Sequence, residues 1–573
     1  MNESPERPSS DDVELYMRTY YSLLRSNSDV QIKTLEQVHA GIGSLLHPGA
    51  QGETPDMSAF VYSLLRLPDC IQHVKLVLMG QSDSMFRRAG VGKVNSWDVV
   101  GAPARRRRCY YDGLETMACI VASQTDIDDI VPTLTAYQIE WNKLHHLLGQ
   151  LPATEVIETF ATDLDRREEL AAVLQISVED MGRLATIWGA NIGKRLTLIA
   201  SRRCRFHVQL ISSTLSEYRR ATHGWWKHIE KIYPNLLDRP IYFVSSNTHS
   251  LINLLSGFAL QAGDVVLDAL HNSKDLELKD EWQGIQDQSV PSSQENFLYY
   301  LLKKHLQTPE GVDLRKAREE HERSGGIRRI NSQHFFDVDA QVMEISRLRM
   351  DWMDPRVQDG DLSFLSDSDA LILNIDYPLG LAAYNILSKV AEQARQVLGI
   401  YIMGKAATLN GVIGDIMIPS IVHDEHSHST FYIPNAFSAA DVAPYLVYGS
   451  CMDNQKSLTV RGTFLQNSNY MELFYREGYT DIEMEAGPYL SAIYEMARPK
   501  RHPVDRVLNL YNIPFDLGIV HYASDTPLGK GKNLGAATLS YFGMDPTYAS
   551  TIAVIRRICA MEKTRLGLQR STD

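Results

Sequence analysis

The chain has 573 residues, 44% of them apolar and 22% charged, which is the composition of a soluble globular protein too long for one ordinary core. A net charge of −13 argues against broad nucleic-acid binding and leaves room only for a local cationic pocket that takes a small anion. Six cysteines, at Cys70, Cys109, Cys119, Cys204, Cys451 and Cys559, include no Cys-x-x-Cys pair, so neither a zinc site nor a disulfide framework is expected.

Residues 1–12 are polar, with Pro5, Pro8 and Ser-Ser-Asp-Asp, and read as a disordered start without the apolar stretch of a secretory signal. No run of about 18 apolar residues follows anywhere, so no membrane partner is expected and the cytoplasm is the default. From Val13 to about Tyr233 the apolar spacing is mainly helical, as in Val156–Leu174 and Met181–Leu215. Ser177 with Asp180 forms a helix-start signal, and Gly182, Gly189 and Gly193 argue against one unbroken helix. Residues 13–233 are therefore expected to be a helical domain, and because the candidate chemistry described below lies after residue 370, its expected role is regulation or oligomerisation. Within it, Arg105-Arg106-Arg107-Arg108 reads as a solvated loop, the functional alternative being a site for an anionic effector or nucleic acid.

The texture changes at Pro240. Ile241-Tyr242-Phe243-Val244 reads as a strand, Ser245–His249 as a polar turn and Leu251–Leu260 as a helix. Residues from about 272 to 335 are polar and charged and are expected to be an insertion over the surface. Ala370–Ile375 is a buried-strand candidate, Pro378-Leu379-Gly380 turns into a helix over Leu381–Leu398, and Gly399–Met403 is a strand before the turn Gly404-Lys405-Ala406-Ala407. Strands alternating with helices predict an α/β domain over 240–573, with a central sheet covered on both faces.

Two segments near the C-terminus carry candidate chemistry: Asp481-Ile482-Glu483-Met484-Glu485-Ala486, and Ile519-Val520-His521-Tyr522-Ala523-Ser524-Asp525. Cleavage of a purine N-glycosidic bond needs an acid at the leaving base and a carboxylate at the sugar hydroxyls. Asp525 would follow a strand, at the sheet edge where ligands of open α/β sheets collect; the plain alternative is an Asp opening a Ser-Asp-Thr-Pro turn. Glu485 would stand at a helix start, where acidic residues also occur for dipole reasons alone.

Together and in this order, the two segments resemble the catalytic segments of the nucleoside phosphorylase and nucleosidase superfamily. Asn374–Ala383, Met403–Leu409 followed by Gly414-Asp415-Ile416, and Val460-Arg461-Gly462-Thr463-Phe464 resemble further segments of that superfamily, also in order. Within it the similarity is greatest to AMP nucleosidases, through Ser524–Lys532 and Asp424-Glu425-His426 followed by Ile433-Pro434, over about residues 370–545. The resemblance implies a nucleoside phosphorylase-like fold. It implies hydrolysis of a purine nucleotide or nucleoside, an AMP-like substrate first, to free base and ribose 5-phosphate. It further implies a homo-oligomer and no metal or organic cofactor. Asp525 would serve the base and Glu485 the ribose hydroxyls as catalytic residues. Substrate-binding candidates are Met484, Glu483 and Ser524, the stacking aromatics Phe464 and Tyr470, the segment Gly404, Lys405 and Ala406, and the first-strand residues Asn247 and His249.

This chain has Ala406-Ala407 where the superfamily has Gly-Gly, and Cβ atoms there are expected to crowd a phosphate or water. No residue near Ser246, Asn247 and His249 stands out as a base for water. His423-Asp424-Glu425-His426-Ser427-His428 is dense in metal-ligand types but is read as a polar loop over the pocket, since a metal needs three or four convergent ligands. Two other readings stay open: a purine nucleoside phosphorylase, and a nucleotide-sensing protein without turnover.

Overall fold

A computed structural model describes residues 10–26, 29–149, 166–212, 214–290, 292–332, 337–498, 504–526 and 543–567. Most of the expected disordered start, residues 1–9, lies outside the described residues, and the first helix already begins within it, over Ser10–Ser26.

The region 13–233 is largely helical, and it also holds a six-stranded mixed sheet. The strands are β1 (Val30–Gln31), β2 (Leu76–Gly80), β3 (Asp98–Ala102), β4 (Arg105–Tyr111), β5 (Thr116–Ile120) and β6 (His207–Leu210), in the order β1-β6-β2-β5-β4-β3. These strands are two to seven residues long and lie among helices, so their period-2 signal is short beside the helical one. Ser177 caps the helix Val178–Trp188 by accepting the Asp180 N–H at 3.0 Å. Gly189, at φ +54°, separates that helix from Ile192–Ser201. The sheet's longest companion is the 25-residue helix Gln124–Leu148, opened by a Ser123–Asp126 capping box.

The second sheet has eleven strands: β7 (Pro240–Ser246), β8 (Ile327–Ile330), β9 (Ala340–Glu344), β10 (Leu371–Asp376), β11 (Gln396–Thr408), β12 (Ile416–Asp424), β13 (Ser429–Tyr432), β14 (Cys451–Thr459), β15 (Asp481–Glu483), β16 (Val507–Asn509) and β17 (Asp516–Asp525). Strands β10, β7, β11 and β17 run parallel, neighbour to neighbour. Every residue of β7 and β10 is buried, as strands covered on both faces should be, including the polar Ser245, Ser246, Asn374 and Asp376 at their carboxyl ends. Helices flank this mixed sheet, so the fold is α/β. Beyond β17 the sheet closes on itself: β17 pairs β12, β12 pairs β14, β14 pairs β15, and β15 returns to β11.

Two expectations change here. Gly404–Ala407 is not a turn between strands. It lies inside the 13-residue β11, which leaves β7 after Ile402, continues along β17 with a register shift at Ala406/Ala407, and meets β15 at Ala407 and Thr408. The preceding helix is correspondingly shorter, Ala382–Gln393. The segment 272–335 is not a surface addition either. Phe297, Leu298 and Leu301 of the helix Gln294–His305 belong to the main core, and β8 extends the sheet. Its charged residues populate the outer helix Val312–Ser324, which masks the apolar stripe of the inner one in a linear reading.

Candidate active site

Because β10, β7, β11 and β17 are parallel, their carboxyl ends open at one edge of the sheet. A cavity of about 750 Å3 lies there. Asn247, Thr248 and His249 enter it after β7, Asp376, Tyr377 and Pro378 from the end of β10, Gly404–Ala407 from β11, Glu483–Glu485 from the end of β15, and Tyr522, Ser524 and Asp525 from β17. The opposite wall comes from the N-terminal sheet and its helices: Tyr62 and Arg66 of the helix Met57–Arg66, and Arg105–Arg108 of β4.

The two glutamates differ in their bonding. Glu483 is buried, and its Oε2 accepts the backbone N–H groups of Glu485 and Ala486, both at 2.6 Å. The Thr459 hydroxyl donates to its other oxygen. Glu483 thus caps the helix Ala486–Ala497 and its carboxylate is occupied. Glu485 has one long contact, from the Gly380 N–H at 3.5 Å. Burial pushes its carboxyl up to about 8, the Glu483 charge adds to the rise, and the Gly380 N–H and Arg105 oppose it. Gly380 has φ +51°, and a Cβ there would stand 2.4 Å from the Thr125 hydroxyl oxygen. The missing side chain leaves room for Thr125, in the first turn of Gln124–Leu148, whose hydroxyl oxygen accepts the Leu381 N–H at 3.0 Å.

Asp525, at the end of β17, receives the Ser524 hydroxyl at 2.7 Å, and its charge acts on Arg66. Burial holds the Arg66 guanidinium below its ordinary pKa, and it lies 3.4 Å from the Tyr62 ring centroid, a cation–π contact. Residues 527–532, part of the segment quoted with Asp525, lie outside the described residues.

Arg105–Arg108 is a strand rather than a solvated loop, and every member has a partner. Arg105 and Arg107 bond Asp129 at 2.6 and 2.8 Å, Arg107 bonds Asp126 at 3.0 Å, and Arg106 pairs with Asp376 across the cavity wall. Arg108 donates to the Ser332 carbonyl at 3.2 Å. The two arginines on Asp129 outweigh its burial and draw its carboxyl down to about 2.

The cations without such partners lie elsewhere. Lys303 and Lys405 both line the cavity, and neither forms an ion pair among the described residues. Burial, then the Lys405 charge, pulls the Lys303 pKa down. Burial takes His249 down to about 3, with Lys303, Arg329 and Lys405 adding to the drop. This corner is therefore cationic, and a phosphate is the kind of group that relieves it.

Several candidates fall outside the cavity lining. Phe464 is buried with Leu46, Ala59, Tyr62 and Ala136, where the two sheets' helices meet, and it packs on His39 and His47. Tyr470 packs edge-on against Phe474, 4.6 Å between centroids. His426 bonds Asp424 at 2.9 Å and His423 bonds Thr430 at 2.9 Å. No group of three His, Cys, Asp or Glu side chains is arranged for a metal among the described residues. Ala406 and Ala407 have no positive φ, so the Gly-Gly replacement carries no backbone strain. Sequence reasoning missed Lys303, hidden in a segment read as surface, and Arg66, whose helix position gave no signal.

No helix among the described residues is long and apolar enough to cross a membrane. Among curated proteins, none matches the chain. Among solved structures, purine nucleoside phosphorylase from Toxoplasma gondii in complex with immucillin-H is similar at 12% identity over 43% of this chain and 88% of its own, with a TM-score of 0.28. A methylthioadenosine phosphorylase from an Antarctic soil metagenomic library is similar at 9% identity, over 36% and 74% of the two chains, with a TM-score of 0.24. Isoform 2 of uridine phosphorylase from Schistosoma mansoni in complex with citrate is similar at 11% identity, over 31% and 70%, with a TM-score of 0.22. A family model matches residues 32–560, so the chain belongs to the family of unknown function DUF6909.

Proposed function

We propose that this protein hydrolyses the N-glycosidic bond of a purine nucleotide or nucleoside, an AMP-like substrate first. The observation that carries the reading is the meeting of Glu485 and Asp525, from separate segments, in the wall of one cavity at the carboxyl edge of a parallel sheet. Asp525 gives a proton or hydrogen bond to the departing base, at N7. Glu485 accepts bonds from the ribose hydroxyls and Met484 lines the sugar's apolar face. Glu483 fixes the helix start that presents Glu485.

The Lys303 and Lys405 corner supports a phosphorylated substrate. The same corner favours one second reading, phosphorolysis, in which it holds inorganic phosphate as nucleophile. A product assay on AMP, adenosine, inosine and GMP, with and without phosphate, separates the two. Free base plus ribose 5-phosphate in phosphate-free buffer, with oxygen from labelled water in the sugar, is the expected result. Strict phosphate dependence with ribose 1-phosphate as product replaces hydrolysis by phosphorolysis, and no base from any substrate removes both. The homo-oligomer that the motif resemblance implies is checked by sedimentation.

A further inference from the structure

Hydrolysis needs a group that takes a proton from water, and β7 ends in Ser245 and Ser246, followed by Asn247, with no carboxylate. Beside the main cavity is a second, smaller space of about 10 Å3, close to the room one water needs. Tyr377, Gly404 and Glu485 wall both spaces, while Ser245 and His521 close the small one. His521 is buried, with Nδ1 2.7 Å from Asp481 Oδ2, and Asp481 also accepts the Ser457 hydroxyl at 2.9 Å. A carboxylate at Nδ1 holds the proton on that nitrogen and fixes the ring, which leaves Nε2 as the acceptor.

Building on the hydrolytic reading above, we propose that His521, held by Asp481 and Ser457, is the general base that activates the attacking water in this small chamber. The water oxygen bonds to the anomeric carbon as the bond from that carbon to the base nitrogen breaks. The bonding pair leaves with the base, which takes the Asp525 proton. The water's own proton passes to His521 Nε2. Exchange with solvent then restores both residues, so atoms and charge balance without a co-reactant. Glu485 stays with the sugar hydroxyls, and Asp481 and Ser457 are positioning residues.

The charged and titratable groups around His521 are Asp481 and Glu483 on β15, Glu485 after it, Lys405 on β11 and Tyr377 after β10. Burial lowers the imidazole pKa, and the three carboxylates outweigh it and raise it. A base of this kind acts when neutral, so turnover falls on the acid side as His521 gains its second proton.

His521→Gln and the near-isosteric Asp481→Asn are the test, measured as base release in phosphate-free buffer beside the parent protein. Each is expected to lower kcat by about 10²- to 10⁴-fold, with KM within a few-fold, and His521→Gln to flatten the acid limb of the pH profile. In the parent, the pKa of that limb should fall on warming, as an imidazole's does and a carboxylate's does not. A His521→Gln enzyme that keeps both kcat and the acid limb overturns the proposal, as does a parent acid limb insensitive to temperature. A parent that releases base only with phosphate, or not at all, fails the hydrolytic reading instead. If the variants do not fold, the temperature dependence of the parent's limb decides alone.

Discussion

Glu483 and Glu485 stand two residues apart and have different work, because the Glu483 carboxylate accepts the N–H groups at the start of the helix Ala486–Ala497, whereas Glu485 has, among the described residues, only a long contact from the Gly380 N–H. Glu485→Gln is expected to impair ribosides more than 2′-deoxyribosides in kcat/KM, by about 0.5–1.5 kcal/mol at neutral pH, the worth of a hydrogen bond between uncharged groups, because burial keeps this carboxyl protonated up to about pH 8. Equal losses on both sugars would assign Glu485 to helix support. Its raised pKa also has a stability consequence. The folded protein holds this proton more tightly than the unfolded chain does. The resulting stabilisation is complete below about 4.5 and is lost as pH climbs to about 8. The glutamine variant never ionises, so its Tm is expected to rise relative to the parent across that window; a constant difference refutes the assignment. Asp525→Asn is expected to keep ligand binding and lose about 10²- to 10⁴-fold in turnover. An unchanged single-turnover rate would remove Asp525 from the mechanism.

Strand β4 is where an element's role differs most from its sequence signal. Four consecutive arginines suggest a solvated run, yet alternation along a strand sends Arg105 and Arg107 together onto Asp129. Arg107→Ala would leave Asp126 and Asp129 buried and short of their partner, at a cost of about 3–5 kcal/mol. Urea unfolding should show that loss, and a change under about 1 kcal/mol would mean that the pair is not buried in solution. The half-exposed Arg106 is therefore the variant that reports on the cavity without undermining β4. A paired change of Arg106 and Arg107 would report on folding first. Gly380 is a second element-scale constraint: alanine there must adopt φ +51° and meet Thr125 at 2.4 Å.

On the scale of the molecule, the two sheets share a site as well as a boundary. The backbone N–H of Leu45 bonds the Gln466 carbonyl at 2.7 Å, Ser44 and Asn467 form an isolated antiparallel bridge, and Arg461 pairs with Glu14. Phe464 is buried among residues of the other half. Removing residues 1–233 would expose that apolar seat and take away the wall bearing Arg66 and Arg105–Arg108. Residues 234–573 alone are expected to aggregate or to bind purine ligands far more weakly than the full chain, by light scattering and calorimetry. A soluble fragment with full affinity would make the N-terminal half dispensable to the site.

The α/β class was legible from local pattern, because β7 and β10 are built on the apolar runs Ile241–Val244 and Leu371–Leu373 and the intervening helices have clean periodicity. The pair of segments holding Glu485 and Asp525 was legible as motif and order. Lys303 facing Lys405, β4 facing β10, and Asp481 holding His521 were not. Each of these brings together residues far apart in sequence, and neither periodicity nor spacing encodes such a distance. The Gly404–Ala407 segment shows the same division. Small residues suggested a turn, but the strand continues because β17 and β15 supply partners for its backbone N–H and C=O groups in succession, and only the closed sheet provides both.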